Sequence, residues 1–296
     1  MSTNQFDNTR RDAQATDVVP VPPEKFDFDL YEDYEAGLNE KCKAFTSAKS
    51  GVLVYRRMRV ADVFSYGCRN MKQSLEWQLG ALQKSLEYKS DIPNFIEPWY
   101  GIGTAASSFG LDYIWPEGQA PAVHAKYENV DEALNAEITP IEFTNIGKHT
   151  ISMIQYFLEK TKGRLPMSFC DLQSPLNVST NVVKTDNFLM DLYLNPDGVK
   201  QFLDRIADLI IGFHRRYESM IDSLVRPGHG SASSRFFKGV MPSDDNALLI
   251  SPELYQLFAQ PSVERIGNAL GGEVFHSCGN WSAYINTVKN IKGIIY

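Results

Sequence analysis

The sequence has few cysteines, no long apolar run and no signal-peptide pattern. Its four cysteines, Cys42, Cys68, Cys170 and Cys278, lie far apart and form no Cys-x-x-Cys pair, so a secreted disulfide framework is disfavoured and free thiols in a reducing compartment are expected. The most apolar stretch, residues 206–213, is too short to cross a bilayer and is flanked by charges. The polar N-terminus lacks a basic segment followed by an apolar one. We therefore expect a cytoplasmic protein that does not enter the membrane.

An excess of positive charge is also missing. The chain has 29 Lys and Arg against 36 Asp and Glu, a formal net charge of -7. No local run of basic residues reverses this balance, so neither phosphate backbones nor anionic lipids have an electrostatic reason to bind. Nucleic acid and membrane surfaces are therefore not expected partners.

The apolar pattern indicates an α/β protein. At 296 residues, 43% of them hydrophobic, the chain can bury a large core within one barrel-sized domain. Short apolar runs alternate with amphipathic helices after Asp91, which predicts parallel strands joined by helical crossovers, in either a doubly wound sheet or a closed barrel. The predicted strands are residues 94–99, 165–170, 235–240, 273–276 and 293–296. The predicted helices include residues 145–162, 197–224, 252–270 and 281–290.

Three regions are expected along the chain. Residues 1–25 are polar and proline-rich and predict a flexible arm, whereas residues 26–90 show helical spacing and predict a helical N-terminal extension. Residues 91–296 contain the strand and helix alternation. Because the sequence stops within a predicted strand that no helix follows, this last region is expected to be a barrel that lacks its final strands.

The strongest local signal is a histidine and a cysteine two residues apart at the end of a predicted strand. Since side chains alternate along a strand, His276 and Cys278 can point to the same side and share a metal. Imidazole and thiolate are ligands that zinc favours, and a catalytic zinc site keeps one position for substrate. The structural alternative is a hydrogen-bonded histidine beside a buried thiol. Spacing alone leaves both interpretations open.

Four motifs resemble the uroporphyrinogen decarboxylase and cobalamin-dependent methyltransferase superfamily. His276-Ser277-Cys278-Gly279-Asn280 is similar to the zinc-binding strand end of corrinoid:thiol methyltransferases, and residues 243–255 resemble the acidic loop and helix start of the superfamily. Residues 170–176 resemble a strand that ends in an acid and a proline-containing turn, and residues 99–103 an early strand end. All four lie where a strand meets a loop, which is where barrel active sites are built.

The resemblance implies a (β/α)8 TIM barrel and a set of site residues. It implies a zinc ion bound by His276 and Cys278, with a third ligand supplied by a cysteine beyond Tyr296. The alternatives are that another group such as Asp171 is the third ligand, or that the chain binds no metal. Asp171 and Asp244 are the predicted catalytic residues, although a loop-capping or ion-pairing role for Asp171 and a solvated acidic loop are the structural alternatives. The predicted substrate-binding residues are Trp99, Tyr100, Gln173, Ser243, Asp245 and Asn280.

Three activities are compatible with this resemblance. The His-x-Cys pair favours zinc-dependent methyl transfer between a corrinoid carrier protein and a thiol or methylated small molecule. Porphyrinogen decarboxylation, which needs no cofactor, ranks second because the basic segment Tyr55-Arg56-Arg57-Met58-Arg59 does not match the arginine-glycine motif of true decarboxylases and lies in a predicted helical run. A corrinoid-binding barrel without catalysis is the third.

Overall fold

The computed structural model describes residues 18–48, 50–58, 60, 69–98, 101–116 and 121–295. Two predicted substrate-binding residues, Trp99 and Tyr100, lie outside the described residues, as do residues 1–17 of the predicted arm. No helix within the described ranges combines the length and the apolar character that a membrane span requires.

Helices make up most of the described regular structure. The helices are α1 Phe28–Ser47, α2 Met71–Ser85, α3 Val130–Leu134, α4 Asn145–Thr161, α5 Pro175–Val182, α6 Thr185–Leu194, α7 Pro196–Glu218, α8 Pro252–Leu254, α9 Gln260–Leu270 and α10 Ile285–Lys289. A π-helical turn, Tyr255–Ala259, joins α8 to α9. Shorter 3-10 turns occupy Pro23–Lys25, Ala106–Phe109, Ile141–Phe143, Asp245–Leu249 and Ser282–Tyr284.

The β structure of the described residues consists of single bridges. Five parallel bridges join segments that follow one another in the chain: Ile96–Met167, Met167–Leu224, Val240–Glu273, Ser243–His276 and Glu273–Ile294. Three further bridges lie outside this series, namely the parallel Tyr127–Val183 and the antiparallel Ile114–Ala122 and Arg226–Ser234. Within the described residues the five parallel bridges of this series form two sets. One set joins the segments of Ile96, Met167 and Leu224, and the other joins those of Val240, Glu273 and Ile294. These bridges do not by themselves close the segments into a ring. Consecutive parallel segments separated by helices are the order of a β/α fold, and the predicted α/β class agrees with it.

Helix starts follow the predicted capping pattern. The Asn195 side chain accepts a hydrogen bond from Gly198 N at 3.1 Å, and Pro196 begins α7. The Ser251 hydroxyl accepts one from Leu254 N at 3.3 Å at the start of α8. Each cap satisfies a backbone donor that the first helical turn leaves without a partner, so these two boundaries are set locally.

The helical run expected over residues 26–90 is wrong in its middle. Residues 50–58 are not helical. The Asn94 side chain accepts a hydrogen bond from Met58 N at 2.8 Å and donates one to Arg56 O at 3.0 Å. The Asn94 side chain therefore pairs with backbone groups that would pair with each other within a helix, and residues 55–58 of the basic segment are not helical.

The helix predicted over residues 197–224 is too long. It ends at Glu218, and Leu224 instead forms a parallel bridge with Met167. Backbone hydrogen bonds from Met167 N to Ser223 O and from Val225 N to Met167 O flank this bridge. Pairing with a distant segment overrides the local helical spacing here.

The N-terminal helices pack into the main core. Tyr31 of α1 and Leu75 of α2 are fully buried, and both belong to one hydrophobic cluster with Ile96 and Val240. The Tyr31 hydroxyl also donates to Asn94 O at 2.7 Å. Val21, within the predicted arm, donates through its backbone to Glu76 O on α2. The described N-terminal residues thus support the strand segments that carry the site.

Candidate metal-binding active site

Three predicted site residues meet at the ends of two neighbouring strand segments. Ser243 and His276 form a parallel bridge, and Asp244 N donates to His276 O at 2.8 Å. The Asp245–Leu249 turn follows the first segment, and the loop containing Cys278 follows the second. This pairing brings ligand atoms of Asp245, His276 and Cys278 within 4.8 Å of one another.

The geometry of this trio fits a shared metal ion. The Cys278 sulfur lies 3.5 Å from His276 Nε2. In a tetrahedral zinc site with the usual bond lengths, a sulfur and a nitrogen ligand lie about 3.6 Å apart. A carboxylate, an imidazole and a thiolate all ligate zinc through ordinary chemistry, and three protein ligands leave a fourth position for substrate. The exposed Cys278 disagrees with the alternative of a buried thiol.

Asp245 has a second link to the trio. Its Oδ1 atom accepts a hydrogen bond from Cys278 N at 2.6 Å. The carboxylate therefore holds the cysteine loop in place as well as offering an oxygen to a metal. Sequence reasoning assigned Asp245 to substrate binding and sought the third zinc ligand elsewhere, because contact between the two loops depends on the pairing of Ser243 with His276.

Asp244 points the other way, into the protein. It is 2% exposed, and its two carboxylate oxygens accept hydrogen bonds from the Ser174 and Tyr255 hydroxyls, each at 2.7 Å. Burial raises the pKa of Asp244 to about 6, although both hydroxyls lower it. Through the Tyr255 hydroxyl, the π-helical turn thus binds the Asp244 carboxylate of the acidic loop. A catalytic role for Asp244 stays a prediction.

A second buried acid, Glu273, lies on the strand segment that pairs with Val240. Glu273 is 2% exposed, and its Oε2 atom has no hydrogen-bond partner among the described residues. Burial, with a smaller contribution from the charge of Asp244, raises the pKa of Glu273 well above its usual range. The ionised form of this buried carboxyl would be desolvated without compensation, which is the physical cause of the raised pKa.

Asp171 lies beside the trio on the neighbouring strand end. Its Oδ1 atom accepts hydrogen bonds from Gln173 N at 2.8 Å and from Ser243 N at 3.3 Å. Gly101, at φ 99°, passes so close that a Cβ atom there would lie 1.9 Å from Asp171 O. The predicted loop-capping role is therefore present, and a catalytic role for Asp171 stays a prediction.

Sequence reasoning missed a buried charged cluster on the other side of Asp171. His229 Nδ1 lies 2.6 Å from Glu97 Oε1, and His229 Nε2 lies 4.0 Å from Asp171 Oδ2. The Arg57 guanidinium lies 3.7 Å from Glu97 Oε2 and donates to Phe95 O at 2.7 Å. We refer to Arg57, Glu97, His229 and Asp171 as the acid-histidine cluster. The available signal was an acid within a mostly apolar predicted strand, Glu97 in residues 94–99.

The remaining predicted residues have mainly structural contacts. Gln173 is buried at φ 61°, and its side-chain oxygen accepts from Asn181 Nδ2 at 2.8 Å. Asn280 Oδ1 accepts a hydrogen bond from Ser282 N at 3.1 Å, just before the following 3-10 turn. Ser243 contributes its backbone, since its carbonyl accepts from Ser174 N. Substrate binding by these residues stays a prediction.

Comparison with known proteins identifies a family. The family model described as uroporphyrinogen decarboxylase (URO-D) matches residues 53–219, more than half of the chain. The predicted membership of the superfamily is thereby confirmed, and two of the four motifs, residues 99–103 and 170–176, lie within the matched range. A search among curated proteins found no significant match.

A solved structure shows the same fold. A methyltransferase from Methanosarcina mazei superposes with a TM-score of 0.65 at 15% sequence identity, covering 87% of this chain and 74% of that chain. At this identity the likeness shows a shared fold and nothing further.

Proposed function

This chain belongs to the uroporphyrinogen decarboxylase family, and we propose that it is a zinc-dependent methyltransferase of that family. In this proposal Asp245, His276 and Cys278 hold the zinc ion, and the two parallel sets of strand segments form part of a (β/α)8 barrel with the ion at its carboxyl end. The observation that carries the proposal is the convergence of three ligand atoms within 4.8 Å.

The donor set suits the activation of a thiol. One thiolate, one imidazole and one carboxylate leave a position at which a substrate sulfur can bind, and a bound zinc ion lowers the pKa of that thiol. A thiolate is the nucleophile in transfer to sulfur. Cys278 is exposed and His276 and Asp245 are half-buried, so a substrate can reach the position.

The methyl partner is proposed to be a corrinoid on a carrier protein. The M. mazei protein with this fold is described as a methyltransferase, and the exposed Cys278 puts one edge of the trio at the surface, where a second protein can reach it. A small-molecule thiol, or a methylated small molecule in the reverse direction, is the other substrate. Because such chemistry needs reduced thiols, we place the protein in the cytoplasm.

Porphyrinogen decarboxylation is the second candidate, and one observation favours it. Arg57 is not helical, as the basic segment had been expected to be, but is largely buried and lies beside Glu97 at the strand ends. An arginine there can bind a substrate carboxylate. Incubation of the chain with uroporphyrinogen, followed by mass spectrometry, should show loss of carbon dioxide only under this candidate.

Zinc content tests the first proposal. We expect the purified, dialysed chain to retain about one zinc per chain by elemental analysis, and added zinc to raise the melting temperature of chelator-treated protein. Cys278→Ser and Asp245→Ala should each abolish both effects, because each removes a ligand.

Cys42→Ser is the matched control, since Cys42 is buried with its sulfur 3.7 Å from Asp91 O and away from the trio. It should retain the zinc. A folded wild-type chain that binds no zinc would contradict the proposal. If only Asp245→Ala kept its zinc, the carboxylate would hold the loop without acting as a ligand.

A further inference from the structure

The Asp244 carboxylate is buried between two neutral groups. Its side chain is closed to solvent, although the next residue, Asp245, is a half-buried member of the metal trio. The two oxygens of Asp244 accept hydrogen bonds from the hydroxyls of Ser174 and Tyr255, each at 2.7 Å. Burying a carboxylate beside neutral groups costs free energy. Stability alone therefore does not account for this acid.

The same contacts keep Asp244 away from a substrate. A general base must lie within hydrogen-bond reach of the proton that it accepts. Each Asp244 oxygen already accepts a hydrogen bond inside the protein, and the side chain is only 2% exposed. These contacts favour a role in holding the acidic loop over a direct role in the reaction.

The backbone around Asp244 joins both segments that carry the metal trio. Asp244 N donates to His276 O at 2.8 Å, and Asp245 Oδ1 accepts from Cys278 N at 2.6 Å. A shift of the acidic loop would therefore move the Asp245 carboxylate relative to the other two ligands. Holding the Asp244 side chain fixes the place where the three ligands meet.

Tyr255 contacts both of these segments. Its hydroxyl donates to Asp244, and its ring packs edge-on against Phe275, the residue before the metal-binding histidine, with ring centroids 6.3 Å apart. The ring of Tyr284 packs against Tyr255 at 6.0 Å, and the Tyr284 hydroxyl donates to Ala247 O at 2.8 Å. Tyr255 thus links the acidic loop to the strand segment that carries the histidine.

The π-helical turn begins at this tyrosine. It spans Tyr255–Ala259 and lies between α8 and α9. A π-helical turn hydrogen-bonds over five residues rather than four, so it directs its side chains differently from an α-helix. Such turns are rare and are frequent at functional sites. Here the irregular turn coincides with the hydroxyl that binds Asp244.

We propose that Tyr255 and Asp244 are positioning residues that set the geometry of the metal trio and thereby its zinc affinity. The proposal rests on the zinc site proposed above, in which neither side chain is a ligand. Asp244 holds the acidic loop, Tyr255 holds Asp244 against the histidine segment, and Asp245 is kept at the ion. Replacing residues that orient metal ligands typically weakens metal binding by about 10- to 100-fold.

The test measures the zinc affinity of the full chain by competition with a chromophoric chelator. Tyr255→Phe removes the hydroxyl and keeps the ring that packs on Phe275. We expect its zinc dissociation constant to rise about 10- to 100-fold. With Co²⁺ in place of zinc, its visible absorption should differ from that of wild type, because the carboxylate of Asp245 is no longer held in the same place. Asp244→Asn, which replaces one accepting oxygen by an amide nitrogen, is the second variant and should act in the same direction.

Tyr31→Phe is the matched control. Tyr31 is also fully buried, and its hydroxyl also donates one hydrogen bond at 2.7 Å, to Asn94 O. This variant should lose thermal stability as Tyr255→Phe does, yet keep the wild-type zinc affinity and cobalt spectrum.

Two results would overturn the positioning role while leaving the zinc function intact. One is a wild-type zinc affinity and cobalt spectrum in both Tyr255→Phe and Asp244→Asn. The other is an equal loss of zinc affinity in Tyr31→Phe, which would trace the effect to general destabilisation. A folded wild-type chain that binds no zinc would overturn both proposals.

Discussion

His214 shows how a single buried residue makes stability depend on pH. It lies on α7 at 4% exposure, with Nδ1 2.9 Å from Ile210 O and its ring 4.6 Å from the ring of Phe169. Burial lowers its pKa to about 4. In the unfolded chain a histidine has a pKa of about 6.5, so between these values the unfolded chain binds more protons. Stability therefore rises with pH over this range and is lost as pH falls through it.

Replacement of this histidine should remove that dependence. Relative to His214→Gln, the wild-type chain should lose about 2 to 3 kcal/mol of unfolding free energy between pH 7.5 and pH 4.5. Urea unfolding of both proteins at several pH values measures the difference. His124→Gln, at an exposed position, should leave the wild-type pH dependence unchanged. If the unfolding free energies of wild type and His214→Gln changed with pH by the same amount, the lowered pKa of His214 would be contradicted.

At the scale of a helix, two glycines in helix interiors should respond oppositely to the same substitution. A Cβ atom on Gly212 of α7 would meet nothing within 4 Å, whereas one on Gly80 of α2 would lie 2.1 Å from Val19 O. Gly212→Ala should stabilise the protein by about 0.5–1 kcal/mol, because alanine loses less backbone entropy on folding. Gly80→Ala should destabilise it, because the segment that contains Val19 must move away from α2.

Thermal and urea unfolding of the two variants distinguish these outcomes. Both substitutions carry the same intrinsic helix preference, so a difference in sign isolates the tertiary contact with Val19. Equal stabilisation by both would show that residues 18–21 do not pack on α2. The helical spacing of the sequence identifies these glycines as helical but does not distinguish them, since the contact comes from another part of the chain.

At the scale of the whole molecule, one partly buried ion pair joins the N-terminal helix to the strand-end region. Arg235 donates to both carboxylate oxygens of Glu35, at 2.6 Å and 2.9 Å, across 200 residues of sequence. The Glu35 side chain is 4% exposed. The neighbouring Asn39 of α1 accepts from the Ser234 hydroxyl. This contact fixes α1 against the segment that leads to Val240.

Breaking the pair from one side should be costly. Arg235→Ala leaves a buried carboxylate without its cation and should lower the unfolding free energy by about 3–5 kcal/mol, measured by urea unfolding. Lys84→Ala is the matched control, because the Lys84–Glu87 pair is on the surface and such pairs contribute about 0–1 kcal/mol. A loss of similar size in both variants would show that α1 is not held by the Glu35 pair.

The sequence alone determined those features that depend on neighbouring residues. The caps at Asn195 and Ser251 were predictable because a side chain bonds to the backbone three residues later. The His276 and Cys278 pair was predictable because alternate residues of a strand share a side. The superfamily was predictable from motifs at strand ends, and the family match confirmed it.

Only the tertiary structure decided which distant groups meet. The parallel bridge between Ser243 and His276 brings Asp245 to the His-x-Cys pair. Asp244, although adjacent to Asp245 in the sequence, points into the protein. Glu97, Asp171 and His229 come from three strand ends and have no common spacing. Periodicity describes one element at a time, whereas a ligand set or a charged cluster depends on the register between elements, which is set by long-range pairing and burial.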